Sequence, residues 1–216
     1  MYQIILFDLD GTLTDPGEGI TNSVAHALMR MGRPPESRDA LYRYIGPPLH
    51  SAFMEFCGFS AEEAHRAIEC YREYYRDRGI FENEVYEGSP ELLAALKRDG
   101  RTLIVATSKP EIFAERILEH FGIAHYFDCI AGATLDSSRS KKADIIAYAL
   151  QRVGATDVSR AVMVGDREHD VIGAAAFGMD SIGVLFGYGS ESELREAGAT
   201  HIAESVAQLF ALLQKK

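Results

Sequence analysis

Short apolar runs alternate with amphipathic stretches along most of the chain. Four clear runs lie at 3–7, 102–106, 161–164 and 181–185, and a weaker fifth lies at 127–131. A continuous apolar run of this length is typical of a strand that is buried on both faces of a parallel sheet. These runs therefore predict five strands of one buried sheet.

Helical periodicity fills the segments between the later runs. Helices are predicted at 89–99, 110–121, 143–153, 169–177 and 204–214. Most of these segments close on a glycine, which commonly ends a helix. Because strands that alternate with helices of this length form βαβ units, we expect an α/β fold: a Rossmann-like, doubly wound parallel sheet with helices on both faces.

One region interrupts this alternation. From about residue 15 to about residue 86 the periodicity is helical and no convincing strand is found. Helical segments are predicted at 19–31, 39–45, 50–57 and 60–78, the last with apolar side chains at three- and four-residue spacing. We expect an inserted α-helical domain over 15–86 and a core domain made from 1–14 and 87–216.

The charge balance excludes some classes of partner. The 216 residues include 22 Lys and Arg against 32 Asp and Glu, for a formal net charge of −10. Such a chain is poorly suited to neutralise the phosphates of a nucleic acid, so we expect no nucleic-acid partner. No run approaches the roughly 18 apolar residues that span a bilayer, and the first residues lack a secretory signal. We therefore expect a cytoplasmic protein with no membrane partner.

Polar residues follow three of the predicted strands. The first strand leads into Asp-Leu-Asp-Gly-Thr at 8–12, the second into Thr-Ser-Lys at 107–109, and the third into Gly-Asp-Arg-Glu-His-Asp at 165–170. Ligands of an open parallel sheet bind beyond the carboxyl ends of its strands, where neighbouring loops converge. We therefore expect these polar residues to meet in one crevice.

Four carboxylates in that crevice call for a cation. Asp8, Asp10, Asp166 and Asp170 would repel one another and resist ionisation if nothing positive joined them. Mg²⁺ prefers oxygen ligands and is commonly held by one or two carboxylates together with substrate phosphate. We expect Asp8 and Asp166 to be direct ligands and Asp170 to support them, although Asp170 also suits the first turn of a helix.

The same residues suit phosphoryl chemistry. An ionised Asp8 can attack phosphorus as a nucleophile, and Asp10 can serve as general acid and base if crowding raises its pKa. The hydroxyl of Thr107 can bind a phosphate oxygen, although it also fits the N-cap of the next helix. Lys142 opens a predicted helix, where an ammonium and a helix N-terminus can face one anion.

These motifs resemble, in order and spacing, those of the haloacid dehalogenase superfamily of phosphohydrolases. They are Phe-Asp-Leu-Asp-Gly-Thr-Leu at 7–13, Val-Ala-Thr-Ser-Lys-Pro at 105–110, Lys142, and the segment 165–170. The helical insertion resembles the α-helical (C1-type) cap of that superfamily. Within the superfamily the chain is similar to the phosphoglycolate-phosphatase-like branch, notably through Ile-Gly-Pro-Pro-Leu at 45–49.

The resemblance implies a role for each matching residue. It implies a nucleophile at Asp8 and acid/base work at Asp10, and phosphate binding at Thr107 and Lys142. The implied metal ligands are Asp8, Asp10 through its backbone carbonyl, Asp166 and Asp170.

Three assignments around the substrate stay open. Ser108 stands where this branch often has Asn, so its contact with substrate is unsettled. Lys141 adjoins Lys142 and is the alternative phosphate-site lysine. Arg43 is the cation of the insertion that we expect to face substrate, because a guanidinium can grip a carboxylate or a second phosphate with two hydrogen bonds. The alternative is that Arg43 lies on a solvated helix face.

The resemblance thus implies a Mg²⁺-dependent phosphatase that hydrolyses a small soluble phosphomonoester through a phospho-aspartate on Asp8. Phosphoglycolate is the first candidate substrate among phosphorylated metabolites. The alternatives on the same scaffold are a sugar phosphomutase, a pyrophosphatase and a 5'-nucleotidase. A phospho-accepting signalling module is the alternative without catalytic turnover. The sequence is compatible with either a monomer or a dimer.

Overall fold

The computed structural model describes residues 1–34, 36–136 and 138–214. Its strands are β1 (Ile4–Phe7), β2 (Thr14–Asp15), β3 (Glu84–Val85), β4 (Thr102–Pro110), β5 (Cys129–Ala133), β6 (Ala161–Gly165), β7 (Asp180–Val184) and β8 (His201–Ala203). Six of them form a parallel sheet in the order β5-β4-β1-β6-β7-β8, while β2 and β3 form a separate two-stranded sheet. All five predicted strands lie in the large sheet, and the predicted α/β fold class is confirmed.

Ten α-helices accompany the strands in the described residues. They are α1 (Gly17–Arg30), α2 (Arg38–Leu41), α3 (Leu49–Cys57), α4 (Ala61–Tyr74), α5 (Ser89–Arg98), α6 (Glu111–His120), α7 (Lys142–Arg152), α8 (Glu168–Ala175), α9 (Glu191–Glu196) and α10 (Val206–Gln214). The predicted helix 60–78 is α4 continued by one π-helical turn, Tyr75–Gly79. None of these helices has both the length and the apolar character needed to cross a membrane.

Four elements, β2, β3, β8 and α9, were not predicted, and each is short. β8 has three residues of which one is buried, so it leaves no apolar run. α9 has six residues and one buried side chain, Leu194, too few to show a helical period. The stretch from 15 to 86 was predicted to contain no strand, but β3 lies within it and pairs with β2. A two-residue strand carries no alternation that a sequence pattern could reveal.

The chain divides into two compact units. One consists of Met1–Thr14 and Val85–Lys216 and contains the six-stranded sheet. The other, Asp15–Glu84, is mainly helical, with α4 packed against α1 and α3. The role of this second unit as a cap stays a prediction.

The three central strands of the large sheet, β4, β1 and β6, are paired in parallel register. Phe7 of β1 is in register with Val105 of β4 on one side and Val164 of β6 on the other. The residues that follow these three positions therefore emerge side by side at the carboxyl edge of the sheet. This alignment brings together the polar segments at 8–12, 107–109 and 166–170.

A buried apolar layer fixes α7 against the sheet. Leu6, Ile104 and Met163, one from each central strand, belong to the same buried cluster as Ile145 and Ile146 of α7. Fully burying one such side chain stabilises the fold by about 1.5–3 kcal/mol. This packing holds the first residue of α7, which is Lys142, at a defined place near the carboxyl edge.

Candidate active site

The carboxyl ends of β1 and β6 position two aspartates. Asp8 directly follows β1, and its backbone N–H donates to the carbonyl oxygen of Val164 at 2.9 Å. Asp166 directly follows β6. Both side chains are buried, so the strands carry carboxylates into a region with little access to water.

Three carboxylates meet at this point. Asp8, Asp166 and Asp170 each offer a ligand oxygen, and these oxygens lie within 4.8 Å of one another. Asp170 belongs to the first turn of α8 and accepts a hydrogen bond from the backbone N–H of Arg167 at 3.1 Å. Asp170 was predicted either to support a metal or to serve the first turn of a helix. Its carboxylate does belong to the first turn of α8, and it also joins the cluster, so the two interpretations are compatible.

Lys142 supplies positive charge to the cluster. Its Nζ lies 3.0 Å from Asp8 Oδ1 and 2.7 Å from Asp170 Oδ1, and it donates to the carbonyl oxygen of Ala106 at 3.0 Å. Burial acts to lower the pKa of Lys142, but Asp170 and Asp8 outweigh it and the pKa is raised. Lys142 is therefore an ammonium at neutral pH, whereas Lys141 is exposed at the N-cap of α7.

One ammonium does not satisfy three carboxylates. Burial raises the pKa of Asp166 well above its usual value, and the charges of Asp170 and Asp8 raise it further. Burial also raises the pKa of Asp170 to about 6, although Lys142 opposes this shift. The cluster thus resists full ionisation as it stands, which is the electrostatic condition that a bound cation relieves.

The donor set fits a hard divalent cation. The Oδ1 atoms of Asp8 and Asp170 are buried, and Nζ of Lys142 lies near both. All the clustered ligand atoms are carboxylate oxygens, which Mg²⁺ prefers. Asp8, Asp166 and Asp170 could therefore hold Mg²⁺.

Glycines let the backbone approach these carboxylates closely. A Cβ on Gly11, whose φ is +80°, would lie 2.3 Å from Asp166 Oδ2. A Cβ on Gly165 would lie 2.1 Å from Cγ of Asp170. Any larger residue at these two positions would have to displace a carboxylate of the cluster.

Asp10 forms a separate pair beside the cluster. Its Oδ2 accepts a hydrogen bond from Nζ of Lys109 at 2.5 Å. Burial raises the pKa of Asp10, and this effect outweighs the opposing charge of Lys109. A carboxyl with a raised pKa is better able to hold a proton near neutral pH, as a general acid must.

The structure also locates the other predicted contact residues. Thr107 is buried, and its Oγ1 accepts the backbone N–H of Lys109 at 3.2 Å. The alternative that Thr107 caps the next helix is wrong, because α6 begins at Glu111 with Pro110 as its N-cap residue. Ser108, between them, is half-buried.

Arg43 lies in the unit Asp15–Glu84, outside the sheet-containing unit. Its Nη2 is 2.7 Å and 2.9 Å from the two carboxylate oxygens of Glu36, and its guanidinium lies over the ring of Phe56. In this structure Arg43 is thus paired within its own unit.

Sequence reasoning missed two groups that orient Asp166. The backbone N–H of Tyr188 donates to Asp166 Oδ2 at 2.9 Å, and the hydroxyl of Thr12 lies 3.4 Å from Asp166 Oδ1. A Cβ on Gly187 would lie 2.5 Å from Cβ of Asp166, so the loop after β7 packs directly on this aspartate. The Gly-Tyr-Gly sequence at 187–189 is the signal that could have indicated such a close approach.

The sequence pattern identifies Lys109 only as a polar residue at the end of a predicted strand. Its pairing with Asp10 depends on the local course of β4, which a sequence pattern does not show. The buried Lys109 and the largely buried Asp10 add a second pair of acidic and basic side chains to the site.

Comparison with known proteins gives a consistent family match. A family model described as haloacid dehalogenase-like hydrolase matches residues 5–184. A crystal structure described as a predicted phosphatase from Clostridium acetobutylicum is 47% identical, with a TM-score of 0.95, and the match covers 99% of this chain and 98% of that one.

Several similar proteins carry functional names. A 5'-nucleotidase of Pseudomonas aeruginosa is 46% identical, over 99% of this chain and 96% of that protein. The tyrosine-protein kinase PtkA of Mycobacterium tuberculosis is 45% identical, over 94% of this chain and 69% of that protein. A phosphoglycolate phosphatase of Neisseria meningitidis is 33% identical, over 98% of this chain and 94% of that protein.

Proposed function

The chain belongs to the haloacid dehalogenase-like hydrolase family, and we propose that it hydrolyses a small soluble phosphomonoester in a Mg²⁺-dependent reaction through a phosphorylated Asp8. Hydrolysis of phosphate esters is the activity that the family and the phosphatase-named relatives support. The observation that carries the proposal is the buried Asp8 carboxylate, which lies beside the Lys142 ammonium and within reach of Asp166 and Asp170.

Asp8 is the proposed nucleophile. One of its carboxylate oxygens forms a bond to phosphorus while the bond between phosphorus and the ester oxygen breaks. Lys142 offsets the negative charge that gathers when a phosphate approaches a carboxylate. Thr107, buried in the last part of β4, is the proposed hydroxyl contact to a phosphate oxygen, and Ser108 is a second candidate.

Asp10 is the proposed acid and base. In the first step it gives a proton to the leaving ester oxygen, and in the second step it takes a proton from the water that attacks the acyl phosphate. Its raised pKa supports the first role, because a carboxyl that is fully ionised has no proton to give. The result of both steps is an alcohol, inorganic phosphate and the original enzyme.

Asp8, Asp166 and Asp170 would hold the Mg²⁺, together with the backbone carbonyl of Asp10 that the family resemblance implies. When bound, the ion supplies positive charge that offsets the carboxylates and the substrate phosphate. The N–H of Tyr188 and the hydroxyl of Thr12 orient Asp166 for this task.

Two substrate classes deserve direct comparison. Phosphoglycolate is the candidate that the family branch implies, and the relative from Neisseria meningitidis carries that name. Nucleoside 5'-monophosphates are the second candidate, favoured by the 46% identity to a 5'-nucleotidase. In our proposal the unit Asp15–Glu84 is a cap that selects among substrates, and Arg43 would exchange its contact with Glu36 for an anionic group of the substrate.

The test is a panel of phosphorylated metabolites assayed for released phosphate with Mg²⁺ and after exhaustive chelation. The panel includes phosphoglycolate, nucleoside monophosphates, sugar phosphates, pyrophosphate and a phosphotyrosine peptide. We expect turnover of a monoester that requires the metal and is lost in Asp8→Asn. Asp144→Asn, the same change at an exposed position of α7, serves as the matched control.

Each alternative predicts a different product. A mutase would return an isomeric phosphate ester, a pyrophosphatase would act only on the anhydride, and a signalling module would stay phosphorylated without turnover. Metal-independent release of phosphate, or wild-type rates in Asp8→Asn, would refute the proposal.

A further inference from the structure

We propose that Lys109 is a positioning residue that holds Oδ2 of Asp10, so that Oδ1 of Asp10 is the oxygen that exchanges protons with the substrate. The inference rests on the proposed function, because it concerns the acid and base of that reaction. It adds a residue to the site for which the sequence offered no role.

The course of β4 directs Lys109 towards Asp10. In the pairing with β5, Thr107 is opposite Gly132, but the next paired residue of β4 is Pro110, opposite Ala133. Ser108 and Lys109 are therefore extra residues on the β4 side. Irregularities of this kind commonly re-aim a side chain beside an active site.

The neighbouring strand is shaped to accept this irregularity. A Cβ on Gly132 would lie 2.6 Å from the carbonyl oxygen of Lys109 and 2.6 Å from the backbone nitrogen of Glu111. The N–H of Gly132 donates to Glu111 Oε2 at 3.1 Å, and the N–H of Lys109 donates to Thr107 Oγ1 at 3.2 Å. The backbone around Lys109 is thus held on both sides.

The ion pair makes the two oxygens of Asp10 unequal. Oδ2 lies 2.5 Å from Nζ of Lys109, and the two side chains are 13% and 6% exposed. Oδ1 is buried and accepts no hydrogen bond within the described residues. A charge-assisted bond with little solvent competition restricts rotation of the carboxyl group. Oδ1 is therefore the oxygen left to carry and deliver the proton.

In this arrangement Oδ1 of Asp10 has a specific role in each of the two steps of the proposed reaction. When the Asp8 oxygen bonds to phosphorus, the proton on Asp10 Oδ1 moves to the departing ester oxygen. When water attacks the acyl phosphate, Oδ1 takes a proton from that water, and the bond between Asp8 and phosphorus breaks. Lys109 keeps its own protons throughout and acts only by holding Oδ2.

Lys109→Met removes the ammonium while keeping an unbranched side chain. Since positioned acid/base groups contribute roughly 10²–10⁴-fold, we expect kcat for an alkyl phosphate to fall by about 10- to 100-fold, with KM changed by less than about threefold. For p-nitrophenyl phosphate, whose leaving group needs no proton, single-turnover phosphorylation of the enzyme should fall by less than about threefold. Lys97→Met, which removes an exposed ion pair with Asp128, is the matched control.

Two further variants separate positioning from misfolding. Lys109→Arg keeps the charge and should recover part of the lost rate on the alkyl phosphate. In an Asp10→Asn background, adding Lys109→Met should produce little further loss, because the group that Lys109 holds has already been disabled. Thermal melts and Mg²⁺ titrations of each variant show whether the site has folded.

Other results would overturn the inference. Equal losses on the alkyl and aryl substrates would indicate a structural effect, and a rise in KM alone would make Lys109 a substrate contact. A full additional loss in the Asp10→Asn background would show that Lys109 acts independently of Asp10. An inactive wild-type enzyme, or an active Asp8→Asn variant, would instead refute the proposed function itself.

Discussion

Replacing Asp166 with Asn should stabilise the metal-free protein. Asp166 is buried among like charges, and its pKa is raised well above the usual value by burial and then by Asp170 and Asp8. An acid with a raised pKa in the folded state binds more protons there than when unfolded. The folded state therefore loses stability as pH rises from the unfolded pKa through the folded one. Asn removes this penalty at neutral pH.

Asn can also keep the local contacts. Its carbonyl oxygen can accept the N–H of Tyr188, and its amide can donate to the hydroxyl of Thr12, in place of the two bonds that Asp166 now accepts. The substitution thus changes charge with little change in shape. Its effect on stability reports the electrostatics of the cluster.

The expected magnitude follows from the spacing of the carboxylates. At an effective dielectric constant of about 20, two unit charges at the 4.8 Å limit of the cluster repel by about 3.5 kcal/mol. Lys142 offsets part of the repulsion. We therefore expect a gain of about 2 kcal/mol, which raises Tm by about 4–8 °C in a chain of this size.

The assay is a set of thermal melts at pH 7.5 with a chelator and then with excess Mg²⁺. Without metal, Asp166→Asn should melt above the wild type, and the difference should shrink as pH falls and the wild-type carboxyl takes up its proton. With Mg²⁺, the wild type should rise in Tm while the variant changes little, because binding to the folded state stabilises it. A metal-free variant that melts below the wild type would refute this reasoning.

Two further substitutions probe the same site. Lys142→Met leaves the buried carboxylates without their ammonium. It should lower the free energy of unfolding of the metal-free protein, measured in urea, by about 3–5 kcal/mol. A loss of less than about 1 kcal/mol would count against the pairing of Lys142 with Asp8 and Asp170. Gly165→Ala places a Cβ 2.1 Å from Cγ of Asp170. It should therefore lower the free energy of unfolding by about 1–3 kcal/mol and weaken Mg²⁺ binding measured by calorimetry. An unchanged Mg²⁺ affinity would show that Asp170 is not needed for the metal.

The parts of the fold that follow from buried periodicity could be predicted. A strand covered on both faces must be apolar at every position, so it produces a continuous apolar run in the sequence. The run at 102–106 predicts β4 for this reason. β8 and α9 produce no apolar run or helical period, because each buries a single side chain. The elements that the sequence pattern does not predict are the short ones, whether strand or helix.

The meeting of Asp8 and Asp166 could be predicted as well. Both follow strands of a parallel sheet, and the carboxyl ends of adjacent parallel strands lie at one edge. The partner of Lys109 could not be predicted, because it depends on where β4 departs from regular pairing with β5. The contact between Arg43 and Glu36 was equally hidden, since helical periodicity gives the face of a helix and not the partner of one side chain.

The most direct measurement of the central proposal is acid-quenched labelling of the enzyme. Wild-type protein and Mg²⁺ are mixed briefly with a phosphate-labelled monoester from the substrate panel, denatured in acid and analysed by mass spectrometry. We predict a hydroxylamine-sensitive phosphoryl group on the peptide that contains Asp8, accumulating in Asp10→Asn and absent in Asp8→Asn. Turnover without such a label in Asp10→Asn, or a label on any other residue, would contradict the proposal that Asp8 is the nucleophile.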